Sequence, residues 1–509
     1  TMQDAQNTAT TLYETKQTSG TIDKIAVNYS NTIEPKIFTL LTVNYYDNYS
    51  YPNAVSVPTT VEGQTVLKNT KGLATGSWTR VLTTATSISG ETSSIFYDDK
   101  ARPIRSYLQN HLSGYTTTDN KLDFTGKTLY TITKHKRASA ATELIIKEEF
   151  TYTAQDRLFT HTHEINGGGI QLLSENNYDE LGQLKYKRVG NNTGNPLQKV
   201  DYSYNIRGWL TGINKIDNLE QNSDPKDLFA FKINYNKVDW NSNAAKALYN
   251  GNIAETSWTT GSDVTGVIRG YGYQYDQLNR LKDATYQTPS LTDNKNYFGE
   301  NLDYDKNGNI MHLERKFVAG VGSNPYADNM DNLGYFYQNN SNQLMKVSDT
   351  SNSPKGFKDD SDGYNDSSDD YAYDSNGNLI KDENKNITEI RYNHLNLPTK
   401  ITFGTNGNIV YIYNATGQKL EKIVTDNGVV TSTKYLGGFQ YKNDVLQYFP
   451  TAEGYVNNTP VNGVNSYNYV FNYTDHLGNV RVSYKKNAQN VLEILEENNY
   501  YHFGLKNEG

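Results

Sequence analysis

Cysteine is absent from these 509 residues. That excludes disulfides, thiolate zinc sites and a cysteine nucleophile, and it is compatible with bacterial export as well as with a cytosolic life. Positive charge is scarce: 48 Lys and Arg stand against 56 Asp and Glu, for a formal net charge of -8 and a pI near 5.6. Such a balance builds no broad basic surface, so nucleic acid is not expected as a partner. No run of about 18 apolar residues occurs, and no membrane-spanning helix is expected. The opening residues Thr1-Met-Gln-Asp-Ala-Gln lack a basic segment followed by an apolar one, so no signal peptide is expected among them, and the chain reads as a piece of something longer. Hydrophobic residues reach only 36% and mean hydropathy is -0.75, which predicts no thick core of aliphatic layers.

What is abundant is tyrosine. Forty-two tyrosines argue against disorder, because disordered chains are poor in aromatics. A sheet with much of both faces near water, covered by side chains with an apolar body and a polar tip, reconciles the two facts, and such a sheet could wall a hollow. The tyrosines also recur in step. In Tyr271-Gly-Tyr-Gln-Tyr-Asp-Gln-Leu-Asn-Arg-Leu281 three of them fall on one face of an extended strand, Asp276 to Asn279 supply turn chemistry, and Leu281 opens a return strand.

The unit first appears at Ile95-Phe-Tyr-Asp98 and returns at Phe150, Tyr178, Tyr202, Tyr304, Tyr337, Tyr373, Tyr392 and Tyr413. The tightest steps, from Tyr373 to Tyr392 and on to Tyr413, are 19 and 21 residues. A period of about 20 holds two short strands and two turns, which is a hairpin and too short for a βαβ unit, so the expected product is an antiparallel strip. Asn307-Gly308, Asn376-Gly377 and Asp426-Asn427-Gly428 are expected to take the positive φ of tight hairpin turns. Residues 1–95 read as irregular β structure, 96–440 as the repeat region with an insertion at about 211–270, and 441–509 as a closing segment. Within the insertion, Asn243-Ala-Ala-Lys-Ala-Leu-Tyr249 reads as one or two helical turns.

Units of the form Tyr-Asp-x-x-Gly-x-Leu resemble the YD-repeat proteins, and Tyr473-Thr-Asp-His-Leu-Gly-Asn-Val-Arg481 followed by Tyr500-Tyr-His-Phe-Gly-Leu505 resembles the Rhs-associated core that closes the repeat region in the Rhs branch. The resemblance implies an all-β fold, a spiralling strip of hairpins forming a hollow shell or part of one. It also implies a function: encapsulating a C-terminal toxin that would follow beyond Gly509, outside this chain. The implied partners are that cargo, an immunity protein and an export machinery, with type IX secretion suggested by the Asn-rich style, and the implied location is secreted or at the bacterial cell surface. The alternative is a surface adhesin using the same strip to bind glycans.

Family members often cut themselves after the core with two aspartates, one ionised and one protonated. The first phrase survives here as Asp475-His-Leu-Gly478, but Tyr501 stands where the second aspartate belongs. Asp475 is therefore the one candidate catalytic residue, for a single self-cleavage at most, with turn formation as its other reading. Glu496 or Glu497 would have to serve as its partner. The acidic run Asp359-Asp-Ser-Asp-Gly-Tyr-Asn-Asp-Ser-Ser-Asp-Asp370 lacks the spacing of a calcium loop and reads as a solvated loop. His161 and His163 share a strand face, yet no third ligand lies near in sequence, so no metal and no cofactor are expected. Gly167-Gly-Gly169 lacks the Lys-Ser/Thr sequel of a phosphate loop, and no Gly-x-Ser-x-Gly elbow orders a hydrolase triad. The chain is not expected to be an enzyme with turnover.

Overall fold

A computed structural model describes residues 2–84, 86–220, 224–240, 244–263, 265–288, 296–320, 325–359 and 369–507. The fold is all-β, built from large antiparallel sheets, with one described helix, Met2–Thr8, which the sequence reading did not anticipate. The helical turns expected from 243 are not formed: residues 244–250 run as a turn and coil, in which Ala244 and Ala245 are buried. Close packing has taken these alanines for their small size rather than for helix propensity. No described helix is long and apolar enough to cross a membrane.

The chain divides into two compact units, Thr1–Leu172 with Ile409–Thr425 and Val429–Gln447, and Leu173–Asn408 with Asp426–Gly428 and Tyr448–Gly509. In the first, strands Thr70–Arg80, Gly90–Tyr97, Pro103–Gln109, Ser113–Leu122, Thr128–Ala138, Leu144–Tyr152 and Leu158–Ile165 pair each with the next. His135 ties this meander to a distant strand: its Nδ1 and Nε2 lie 2.8 Å from the Thr116 and Tyr441 hydroxyls, and its ring stacks on Phe439. In the second unit the meander runs through strands Leu210–Ile213, Phe229–Asn234, Glu255–Thr260, Arg269–Tyr275, Leu281–Gln287, Glu300–Tyr304, Ile310–Ala319, Tyr326–Tyr337 and Leu344–Asp349.

One turn design recurs, and it explains the repeat. In the loop after Tyr304, the Asp305 amide donates to the Asn309 carbonyl and the Gly308 amide to the Asp305 carbonyl, with Gly308 at φ 94°. Asp374 builds the same loop with Gly377 at φ 83°, and Asp276 builds it with Asn279 at φ 62°. This is a three-residue loop, a type I turn followed by one left-handed residue, and the strand register slips beside it at Tyr275, Tyr304 and Tyr373. Only one residue per loop needs positive φ, so Asn307 and Asn376 keep ordinary φ, contrary to the two-residue turns expected there. The expectation holds at Asn427 and Gly428, where φ is 46° and 82°. The leading aspartate caps the loop: Asp374 Oδ1 accepts the Asn376 and Asn378 amides at 2.9 and 2.8 Å. Nothing lies within 4 Å of a Cβ built on Gly377, so its requirement is conformational alone. Gly377→Ala is therefore expected to cost about 1 to 2 kcal/mol in a denaturation curve and Gly377→Asn much less, because asparagine already fills that place at 279 and 396.

The tyrosine before each turn has its own partner. Tyr304 donates to the Leu281 carbonyl at 2.7 Å, Tyr337 to Ile310 at 2.9 Å, Tyr373 to Leu344 at 2.6 Å and Tyr392 to Leu379 at 2.5 Å. Each acceptor opens the return strand of the preceding hairpin, at the bulge where the sheet ladder leaves it free. The Tyr…Leu period is thus a hydrogen-bonded ladder from one hairpin to the next. Tyr304→Phe, which leaves the Leu281 carbonyl without its partner, is expected to lower stability by about 1 kcal/mol in equilibrium unfolding.

The second unit departs from the expectation of two wet faces. Tyr271, Tyr273, Tyr473, Tyr484 and Tyr501 are fully buried with Phe229, Trp258 and Phe471 in one core. Hydropathy scales count tyrosine as nearly polar, whereas a tyrosine whose hydroxyl is satisfied buries as much apolar surface as phenylalanine.

Candidate functional site

The closing segment brings its two phrases together in the second unit. Asp475 opens the turn between strands Tyr467–Thr474 and Val480–Lys486, and its geometry is that of the repeat: Gly478 donates to the Asp475 carbonyl at 3.0 Å and has φ 84°. Asp475 Oδ1 accepts the Leu477 and Asn479 amides, both at 3.0 Å, and Oδ2 accepts Asn479 Nδ2 at 3.2 Å. The second phrase folds the same way. Tyr501 donates its amide to the Leu505 carbonyl at 2.8 Å, Gly504 donates to the Tyr501 carbonyl at 3.0 Å with φ 84°, and Tyr500 continues the ladder by donating to the Val480 carbonyl at 2.8 Å. Tyr501 therefore occupies the capping position of a repeat turn without a capping oxygen.

Its cap comes from elsewhere in the chain. Glu300, at the start of strand Glu300–Tyr304, accepts the His502 amide at 2.6 Å, while the Tyr501 side chain turns inward and donates to the Lys316 carbonyl at 2.5 Å. Glu300 is almost wholly buried, which lifts its carboxyl to about 7 against the lowering pull of the His502 amide and of Arg315. Sequence reasoning had no route to Glu300, which lies two hundred residues away from the turn it caps.

Arg481 is the other residue that only the fold reveals. The residue is 4% exposed, and its guanidinium lies over Trp258 at 4.5 Å, faces Asp475 Oδ2 at 3.5 Å, and donates to the Asn498 carbonyl and Asn499 Oδ1, each at 2.9 Å. Burial pushes it below the ordinary arginine range, and Asp475 opposes that. A cavity of about 30 Å³, room for a water or two, is lined by Asp475, His476, Tyr501 and His502. Burial pushes the His476 imidazole down while Asp475 pulls it up; His502, its ring tilted against Tyr273 with centroids 4.8 Å apart, is pushed down by burial to about 4.

Neither glutamate weighed as a partner for Asp475 lines this cavity. Glu496 pairs with Lys506 at 2.6 Å, and Glu497 accepts Thr260 Oγ1 at 3.0 Å and the Ser262 hydroxyl. What the geometry assembles around Asp475 is a turn cap and one half of a buried ion pair, with a tyrosine committed to a carbonyl opposite.

The remaining candidates sit apart. His161 and His163 share a buried face of strand Leu158–Ile165 in the first unit, and the fold adds Glu148, whose Oε1 lies 2.9 Å from His161 Nε2. Among the described residues no group of three or more His, Cys, Asp or Glu is arranged to hold a metal ion. Of the acidic run, 360–368 lie outside the described residues. Asp370 accepts the Val347 amide at 2.7 Å and Asn384 Nδ2 at 2.9 Å.

No family model and no curated protein matches this chain. Among solved structures, it is similar to a crystal structure of TcdB2-TccC3-Cdc42, at 13% identity and a TM-score of 0.47. A crystal structure of TcdB2-TccC3 without its hypervariable C-terminal region gives 12% and 0.47, and both matches take in 87% of this chain and 24% of the other. A Photorhabdus luminescens Tc holotoxin pore matches at 12% identity and a TM-score of 0.22, over 88% of this chain and 28% of that one. The chain spans about a quarter of the length of these solved chains.

Proposed function

We propose that the chain is a shell segment of a secreted Rhs-type toxin, a strip of hairpins that encloses a C-terminal effector lying outside this chain. The observation that carries the reading is the hydrogen-bonded repeat itself. Tyrosine hydroxyls lock hairpin to hairpin, a structure suited to extending a wall rather than to assembling a catalytic centre. The closing segment supports it: two repeat turns, capped by Asp475 and by Glu300, seat the last strands in a core. In this reading the protein has no turnover of its own, Asp475 holds a turn, the effector's immunity protein and a type IX export machinery are its partners, and the shell acts outside the cell or at its surface.

A reporter domain that folds readily, joined after Gly509, tests the container. Enclosure predicts a reporter that stays dark and resists protease while the shell remains soluble. A reporter that fluoresces and is cut off at once overturns the proposal.

A further inference from the structure

The second unit carries a cavity of about 690 Å³ that the shell reading leaves without a role, in the size range of small-ligand sites. Its floor is the face of strands Leu210–Ile213 and Phe229–Asn234 that carries Gly212, Lys232 and Asn234, opposite the face on which Phe231 and Ile233 are buried in the core, and its wall is the segment 235–240 that follows. Gly270 makes the wall possible: a Cβ there would meet the Trp240 ring at 2.5 Å, so the indole packs onto the sheet only because the side chain is missing. Tyr235 stands beside it, fixed by its hydroxyl bond to the Leu210 carbonyl.

The polar lining is close to balanced, with Lys215, Lys232 and Lys237 against Asp217 and Asp239. Lys232 and Lys237 both lean on Asp239, at 2.5 and 3.5 Å. Burial pushes Asp239 up, but hydrogen bonds from Lys232 and Asn234 outweigh it and hold the carboxyl at about 2. The two lysines share this one carboxylate, and with Lys215 and Asp217 the lining keeps a single net positive charge, which does not match a phosphate dianion. Nor is a peptide strand a suitable occupant, because both floor strands are paired on both sides and offer no backbone edge to read. Aromatic rings beside ordered polar groups of both signs fit a ligand with apolar ring faces and many hydroxyls.

We infer that this cavity is a binding site for a neutral oligosaccharide, which stacks on Trp240 and is oriented by the Lys232 and Asp239 pair. A shell with such a site recognises a glycan surface independently of any cargo.

An array of neutral hexose and N-acetylhexosamine oligosaccharides, followed by calorimetric titration of the best binder, tests the site on the whole chain. The expected result is saturable binding at one site per chain that survives 0.5 M salt. Trp240→Ala is expected to weaken it at least tenfold at a temperature below its own unfolding midpoint, which falls because the indole packs on the sheet. Asp217→Ala, at an exposed position on the rim, is expected to weaken it severalfold and serves if the tryptophan variant does not fold. No bound oligosaccharide on the array, binding that disappears in salt, or binding unaffected by both variants overturns the inference. None of these outcomes bears on whether a fused reporter is enclosed.

Discussion

Replacing Arg481 by methionine is expected to destabilise the second unit by about 3 to 5 kcal/mol, the usual consequence of leaving one partner of a buried ion pair alone. The guanidinium holds three things at once, the Asp475 carboxylate, the Asn498 carbonyl and the Asn499 side chain, while lying over the Trp258 ring. Asp475→Asn separates the ion pair from the turn. Asn205, Asn393 and Asn487 cap the same loop elsewhere with the same pair of amide bonds, between 2.9 and 3.1 Å. The turn thus tolerates asparagine, and whatever Asp475→Asn costs belongs to the lost charge beside Arg481. The double variant is expected to cost less than the two single losses added, with a coupling of at least about 1 kcal/mol. Chemical denaturation of the four proteins measures it. Additive losses, or an Arg481→Met variant as stable as the parent, would show that the pair anchors nothing.

Acid is expected to open the first unit before the second. His135 and His163 are buried there and held at about 4 by desolvation, against an ordinary value of 6.5. A lowered histidine binds fewer protons in the folded state than in the unfolded one, so its stabilising contribution is present above 6.5 and is lost as pH falls from 6.5 to 4. A fall from 6.5 to about 4 corresponds to roughly 3 kcal/mol for each histidine. In the second unit His476 and His502 act in the same direction, but Glu300 opposes them: with its folded value raised from 4.5 to about 7, it gains protons on folding and adds stability as pH falls through that window. Amide exchange at pH 7 and at pH 4.5 reads the difference. Strands Thr128–Ala138 and Leu158–Ile165 are expected to lose protection well before Glu300–Tyr304, and His135→Gln to flatten the pH dependence of the first unit. Equal loss in both units would refute this assignment of the titrating groups.

The repeat was legible because its signals are local. Tyr at one position, Asp or Asn at the next and Gly or Asn three further on specify a strand end, a cap and a left-handed residue within a few bonds of one another, and that is enough to predict an antiparallel meander of hairpins. The type of loop was not legible, since Asn-Gly suits both a two-residue and a three-residue turn, and the bulge that chooses between them depends on the paired strand. Nor did composition reveal the packed aromatic core, because a tyrosine's burial depends on whether a carbonyl waits for its hydroxyl.

At the candidate site the division is sharper. Asp475 and the missing aspartate at Tyr501 can be read from the chain, as can the kinship of the two phrases. That Glu300 caps the second of them, that Arg481 lies over Trp258 against Asp475, and that Trp240 walls a cavity over Gly270 are matters of the tertiary structure alone. Hairpin geometry follows from torsional preferences and hydrogen bonds among neighbours, which the order of residues specifies directly. The partners of a buried charge follow from which distant strands the sheet brings together, and that is decided only when the whole unit closes over them.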